Sequence, residues 1–560
     1  MLLVAGETAA AGPALLPDWQ QVQEEMAQHL AALVRIDTTN PPGNETRAAR
    51  YIEDVLNQEG IPAEILELEP GRGNIVARLE GSGEDRPLLL MAHLDVVGVE
   101  RERWTVDPFG ARVENGFLYG RGAFDDKGML AVNLEVVLLL HRLGVPLRRD
   151  VILLGEADEE SGGRAGIRFL IERHWDKIDC EYALNEGGWI FEKDGAIQYA
   201  GVATGEKAPH RIRLVARGSS GHGSMPRLDN PITHLAAAVA KVGALQMPMR
   251  LNETTRAFFR KLAPISPPAD AALYRDLEDP ERSADAQEKL RATSIYYNAM
   301  LRTTLAPTII KGGFRANVIP AEAEATIDVR ALPGEDLPAM VAMLAELIDD
   351  PAVEVVAPLR EIRLIAQSSI RQGAAGRLDN AVTRLAAAVA RIGPTGMPVR
   401  LQEATRAFFR QPALVSPAAR PALVVPAEAE AVVDAGEVPD AGMAAAVARL
   451  VELIGDPAIE VVPPPVDPAP SPLGSDLYRA LEHAQAQVFP KAVTLPFLLP
   501  AGTDSAPLRA KGVKAYGLGG VAGGEELARL HGNDERVSLA GLGRFAELVY
   551  QAVLEITGRP

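Results

Sequence analysis

After Asp18, apolar residues recur at helical spacing as far as about Val34, which predicts an amphipathic helix. The polar, proline-bearing loop IDTTNPPGNE ends it, and a second helix is expected from about Ala48 to Gln58. Beyond that point short apolar runs alternate with helical ones. RPLLLMAH reads as a buried strand, KGMLAVNLEVVLLLHRL as a helix, and RRDVILLGEADEE as a strand running into a loop. EYALNEGG repeats that last form. Such alternation predicts an α/β sheet with helices on both faces. In these sheets, sites gather beyond the carboxyl ends of the strands. His93, Glu159, Glu160 and Glu186 all fall there.

The middle of the chain contains an internal duplication. RLDNPITHLAAAVAKVGALQMPMRLNETTRAFFR from Arg227 is matched by RLDNAVTRLAAAVARIGPTGMPVRLQEATRAFFR from Arg377, with 23 of 34 positions identical. VIPAEAEATIDVRALP from Val318 is matched by VVPAEAEAVVDAGEVP from Val424, so the second copy is 44 residues shorter between the two matches. Each copy reads as strand, helix, strand, helix, strand. Two copies are too few for a solenoid. They are read as a small domain and a degraded duplicate inserted into the α/β sheet domain. The proline-rich segment VVPPPVDPAPSP closes the insert, and the α/β pattern resumes near Gly474.

A chain of 560 residues exceeds one hydrophobic core, so two or more domains are expected. The net charge of −18, without a dense Lys/Arg tract, argues against a nucleic-acid partner. The longest apolar stretch, about Leu130 to Leu140, is broken by Asn133 and Glu135, so no membrane span is expected. The N-terminal segment MLLVAGETAAAGPALLPDW lacks a basic start and a long apolar run. A cytoplasmic location is therefore expected, with a secreted or periplasmic one as the alternative. The single cysteine, Cys180, excludes an intrachain disulfide and a cysteine-based zinc site. Any metal must be held by histidines and carboxylates.

Candidates for that chemistry lie in MAHLDVV, GRGAFDDKG, EADEESGG, LNEGG and the late RLHGNDE. Taken singly, a histidine at a strand end or a Glu-Glu pair is commonplace. Together they supply two histidines and several carboxylates in glycine-rich loops at strand ends, a donor set suited to zinc. With so many carboxylates a two-metal site is expected, because one carboxylate can bridge two ions.

The order of these five motifs resembles the zinc exopeptidase family of acetylornithine deacetylase, succinyl-diaminopimelate desuccinylase, carboxypeptidase S and the aminoacylases. The resemblance covers nearly the whole chain except the duplicate. It implies a mixed-sheet α/β catalytic domain (residues 17–207 and 464–560) and an inserted α+β, ferredoxin-like lid and dimerisation domain (208–360). Residues 361–463 would be the degraded duplicate of that lid. It implies two zinc ions, with cobalt or manganese as alternatives. His93 and Glu186 would bind one ion, Glu160 and His531 the other, and Asp125 would bridge both; Asp126 is the less favoured bridge. Asp95 would hydrogen-bond the other nitrogen of His93. Glu159 would be the general base.

The resemblance also implies substrate contacts. His222, in GSSGHGSMP, would reach the active site of a partner subunit and help stabilise an oxyanion. Asn317 and Arg330 would hold the substrate carbonyl and carboxylate, a fixed guanidinium suiting a carboxylate. Gly502 and Thr503, in PAGTDS, would lie near the carboxylate end. His29, His141, His174, His210, His234 and His483 carry no motif and are read as structural.

The implied activity is hydrolysis of an amide bond next to a free carboxylate. The alternatives are a carboxypeptidase or dipeptidase, an N-acyl-amino-acid deacylase, and a non-catalytic relative. The duplicate departs from the family pattern. GHGSMP becomes IRQGAAG, Leu423 stands at the position of Asn317, and Gly436 at that of Arg330. It is read as packing on the first lid, as imitating a partner's lid, or as having little selected role. The chain is accordingly expected to be a homodimer by resemblance, or a monomer if the duplicate replaces the partner.

Overall fold

The apolar runs form the centre of a ten-stranded mixed sheet. The order is Ala63–Glu67, Gly73–Leu79, Val151–Glu156, Leu88–His93, Tyr182–Asn185, Lys514–Gly517, Ala196–Glu206, Trp189–Lys193 and Val521–Ala522, with Val493–Leu499 also pairing Ala196–Glu206. Four neighbouring central strands, from Val151–Glu156 to Lys514–Gly517, run parallel. Three of them are buried throughout, as continuous apolar runs require of strands covered on both faces. This computed structural model describes residues 17–357, 361–367, 381–395, 399–401, 428–434, 440–462 and 467–558. The N-terminal segment before Pro17 lies outside them, as do the duplicate's IRQGAAG loop, Leu423 and Gly436.

Strand alternation divides the core into two layers. Leu88, Leu90 and Ala92 face a core built with helices Trp19–Val34, Glu45–Gln58, Lys127–Arg142, Asp476–Val488 and Leu539–Thr557. Leu89 and Met91 face the other side, with Ile167, Leu170, Cys180 and Leu508. Burial pushes the Cys180 thiol up to about 12, which leaves it an inert packing group. The first helix spans Trp19–Val34, with the Asp18 carboxylate accepting from the amides of Gln20 and Gln21. The second helix starts at Glu45, earlier than its apolar periodicity suggested. Its first turn is polar, and buried Glu45 is held there by two hydrogen bonds from Arg72 at 2.7 and 2.8 Å.

The insert forms a four-stranded antiparallel sheet ordered Thr304–Gly312, Glu322–Ala331, Ala208–Arg217, Val353–Val356. Helices Pro231–Ala244 and Leu337–Ile348 pack on it around Ile212, Leu214, Leu235, Ile327 and Leu344. The order in the chain is βαββαβ, the ferredoxin-like arrangement. The duplicate repeats it: Val399–Leu401, Glu428–Asp434, Glu361–Gln367 and Ile459–Val462 form a separate four-stranded sheet with its own core.

Two features add to the expected plan. The first copy carries additional helices between Glu253 and Met300. Phe258 and Phe259 of the RAFFR motif pack there with Leu495, Phe497 and Leu499 of the large sheet. The duplicate also makes a contact with the helix layer of the large sheet, where Arg363 meets Glu172 at 2.7 Å. Among the described residues no helix is long and apolar enough to cross a membrane.

Candidate metal centre

The parallel strands deliver their carboxyl ends to one edge. His93 is the last residue of its strand and is in register with Glu156. Glu159 and Glu160 open the short 3-10 turn Glu159–Ser161 just beyond Val151–Glu156. Glu186 follows Tyr182–Asn185 directly. The two glycines after it have separate reasons. Gly187 adopts φ +104°, and a Cβ on Gly188 would lie 2.4 Å from the Gly201 carbonyl oxygen. Asp125 sits in the turn before the Lys127–Arg142 helix, and His531 takes a left-handed conformation, φ 55°.

These residues converge. His93 Nε2 is 3.0 Å from Asp125 Oδ1, and His531 Nε2 is 3.1 Å from Asp125 Oδ2 and 3.3 Å from Glu160 Oε1. His93, Asp125 and Glu186 each offer a ligand atom within 4.8 Å of the others, and so do Asp125, Glu160 and His531. Each oxygen of Asp125 thus faces a different histidine, the arrangement of a bridging carboxylate. Asp126 does not make these contacts; it is buried, and its Oδ2 has no partner. Glu159 belongs to neither group.

Asp95 meets the other ring nitrogen of His93 through its backbone. The atom closest to His93 Nδ1 is the Asp95 backbone carbonyl oxygen, at 2.9 Å, whereas the carboxylate is 3.6 Å away. The carboxylate instead accepts from the amides of Glu159 (3.1 Å) and Glu160 (3.2 Å) and from Asn40 Nδ2 (2.7 Å). It therefore orients the histidine through its backbone and the Glu159–Glu160 turn through its side chain. Asn40 also reaches Asp158 (3.1 Å), which takes a further bond from Arg72 (2.8 Å). A second support was equally unforeseen. Glu535 accepts from the amides of Phe124 and Asp125 at 2.9 and 3.1 Å and pairs with Arg121 at 2.6 Å. Arg121 in turn donates to the Gly532 carbonyl at 2.8 Å. Arg121 and Glu535 are both buried. We expect Arg121→Met to destabilise the chain by about 3–5 kcal/mol, because it strands a buried carboxylate. Denaturant unfolding of the variant beside the parent checks this, and an unchanged midpoint would contradict it.

The pattern of Peptidase family M20/M25/M40 matches residues 89–555, the stretch that contains the whole cluster. The chain belongs to this family. Human N-fatty-acyl-amino acid synthase/hydrolase PM20D1 is 33% identical over 279 residues, covering 48% of this chain and 54% of that protein. The Dictyostelium discoideum protein named "Probable carboxypeptidase S-like 2" is 32% identical over 279 residues, covering 48% and 53%. These matches span about half the length of each relative. In fold, the chain is similar to the M20 family metallo-carboxypeptidase Sso-CP2 of Sulfolobus solfataricus, with a TM-score of 0.58 at 16% identity over 95% of this chain and 99% of that one.

The donor set of this M20/M25/M40 chain fits divalent cations. Burial raises the carboxyls of Glu186, Asp126, Glu156 and Glu159 well above their usual range. Asp504, overlooked in the sequence, is pushed up to about 7 by burial and by the Asp95 carboxylate. So many crowded carboxyls call for positive charge. Here the histidines supply it. Asp125 and Glu160 push His531 up to about 10, and Asp125 and Asp95 hold His93 well above its ordinary value despite burial. Burial opposes ionisation of Asp125, but hydrogen bonds from His531 and His93 hold its carboxyl below the usual range.

Asp125 apart, these shifts share one sign. Without metal, the folded chain holds more protons at these groups than the unfolded chain does. The His531 contribution to stability is complete below about pH 6.5 and is lost as pH rises to about 10. The raised carboxyls add to the loss. The chelated chain is expected to lose thermal stability across that window, while the increment from added zinc grows, since ligands bind deprotonated. Melting curves with and without zinc at several pH values test this; a constant increment would contradict it.

The remaining expected site residues lie apart from the cluster's contacts. Exposed His222 lies in the two-stranded ribbon of Gly221–His222 with Val318–Ile319, and exposed Asn317 just precedes its second strand, with Gly223 donating its amide to the Asn317 carbonyl at 2.8 Å. His222 Nδ1 meets Ser224 Oγ at 2.7 Å. Arg330 pairs with Asp328 at 2.9 Å and sits opposite Pro209 in the insert sheet. A Cβ on Gly502 would lie 3.6 Å from that same Pro209. Thr503 donates to buried Glu206 at 2.6 Å. Arg330 and the PAGTDS loop thus both lie near Pro209, at the start of the insert sheet.

Proposed function

We propose that the chain is a metal-dependent hydrolase cleaving an amide bond next to a free carboxylate, as a carboxypeptidase or dipeptidase. The observation carrying this reading is Asp125, with one carboxylate oxygen toward each histidine, beside a Glu159 left out of both ligand groups. Two zinc ions, replaceable by cobalt or manganese, would be held by His93, Asp125 and Glu186 and by Asp125, Glu160 and His531, supplying Lewis acidity at the scissile carbonyl and a water of lowered pKa. Glu159 takes a proton from the attacking water on its carboxylate as the new C–O bond forms. It returns that proton to the leaving nitrogen as the C–N bond breaks. Its raised carboxyl suits it to accept a proton. Asp95 holds the Glu159–Glu160 turn in place through both amides.

Arg330, assisted by Gly502 and Thr503, is proposed to receive the free carboxylate, in exchange for Asp328. His222 and Asn317 are proposed to hold the carbonyl oxygen, with His222 offered to a partner subunit. Residues 17–207 and 464–560 would form the catalytic domain, 208–360 the lid and 361–463 its degraded duplicate. The lid's outer strand Thr304–Gly312 is largely exposed, and Ile309, Ile310 and Phe314 stand out of it and its following turn. An uncovered apolar edge strand is a template for pairing, which supports a homodimer. A single-chain mass in solution would contradict it.

The similarity to human N-fatty-acyl-amino acid synthase/hydrolase PM20D1 favours a second reading, an N-acyl-amino-acid deacylase. Assay of the zinc-loaded chain against dipeptides, carboxypeptidase substrates and N-acyl amino acids of several chain lengths separates the two. Faster turnover of peptides supports the first reading, and preference for acyl amino acids supports the second. Failure to cleave any of them would overturn both.

A further inference from the structure

A second set of candidate ligands lies away from the centre. Glu25 and His29 stand one turn apart on the Trp19–Val34 helix, and Glu135 faces them from the Lys127–Arg142 helix. Ligand atoms of all three lie within 4.8 Å of one another. Glu135 is eight residues past Lys127, about 12 Å along the helix from the end bearing Asp125. This set is therefore distinct from the dinuclear cluster.

Three observations show that the set is incomplete as it stands. Glu135 is 0% exposed, yet neither of its carboxylate oxygens has a hydrogen-bond partner. His29 Nε2 is also buried without one, while Nδ1 is engaged with the Tyr51 hydroxyl at 2.8 Å. That contact fixes the ring, and when Nδ1 carries the proton it leaves the Nε2 lone pair free. Burying a carboxylate with no partner costs several kcal/mol, and burial pushes Glu135 up to about 8. The neighbouring guanidinium gives it no hydrogen bond: Arg142 is taken up by Glu25, at 2.7 and 2.9 Å, and by Glu59, at 2.7 Å.

We propose that Glu25, His29 and Glu135 form a third cation site, for a divalent transition metal such as zinc. One nitrogen and two carboxylates are an ordinary zinc donor set, leaving a position for water. His29 Nε2 and Glu25 Oε1 are 3.8 Å apart, against about 3.4 Å for two ligands of one tetrahedral ion, so a small closure completes the site. Glu25, with 28% of its side chain exposed, is the route in from solvent. The ion braces the first helix against the central one, a structural role that needs no part of the hydrolase reading.

The test compares zinc content of the full-length chain and its Glu135→Gln variant after equilibration with zinc and removal of the excess. The parent is expected to hold one more ion per chain than the variant, with equal hydrolytic rates. This difference is independent of how many ions the dinuclear cluster holds. Should the variant fail to fold, anomalous diffraction at the zinc edge on parent crystals decides the matter. A peak between the two helices supports the site. Equal zinc contents, or a water or no density at that position, would overturn it and leave Glu135 a buried protonated acid.

Discussion

Glu159→Gln is expected to lower kcat by about 10²–10⁴-fold while leaving the metal content of the chain unchanged. The amide keeps the shape of the side chain and removes its capacity to accept a proton. Glu159 adjoins Glu160, but only Glu160 points at His531, and only Glu160 falls in a ligand group. The amide of Glu159 remains bound to Asp95, so the turn should persist. Burial and the nearby Asp504, Glu160 and Asp125 carboxylates raise Glu159, which makes it the better base. Steady-state kinetics with elemental analysis of the same sample checks both halves of the expectation. Loss of an ion would make Glu159 a ligand, and a drop of less than about tenfold would remove it as the base.

Asp125→Asn is expected to empty both halves of the centre and abolish hydrolysis. An Asn side chain offers one oxygen and one NH₂ donor, so it can face only one of the two histidines as an acceptor. The variant should contain two fewer ions per chain than the parent. The metal-free form provides a second readout. With the shared carboxylate gone, His531 loses the first of the groups that raise it and should titrate closer to the ordinary histidine range. Histidine proton resonances followed against pH would show this. An unchanged His531 titration, or full metal content in the variant, would refute the bridging role.

The catalytic sheet was readable in the sequence because its central strands are covered on both faces. Each is therefore an unbroken apolar run ending in a polar, glycine-rich loop. The candidate ligands were readable for the same reason: strand ends fix where His93 and Glu186 must stand, and motif order supplied the rest. Their supports were not. Asn40 reaches Asp95 across 55 residues, and Arg121 reaches Glu535 across 414. Such pairs have no local signature. Glu535 stood within the quoted RLHGNDE, and a buried carboxylate there could have been suspected from the buried arginine of GRGAFDDKG. The choice between Asp125 and Asp126 depends on the direction of adjacent side chains in a turn; the motif favoured Asp125, and Asp125 is the one that meets both histidines. Asp95 meets His93 through its backbone because proximity along the chain brings that carbonyl to within 2.9 Å of Nδ1. The helices between Glu253 and Met300 were assigned to the lid by sequence continuity, yet their Phe258 and Phe259 pack on the large sheet. Apolar faces declare that they are buried without declaring against what.

The central claim, that amide hydrolysis here depends on metal held by His93, Asp125, Glu160, Glu186 and His531, is tested most directly by chelation and reconstitution. Cleavage of the best substrate would be measured on the chain as purified, after exhaustive chelation, and after return of zinc, with metal content followed throughout. Cleavage is expected to be lost with the metal and to recover on reconstitution. Cleavage that survives in a metal-free chain would contradict it.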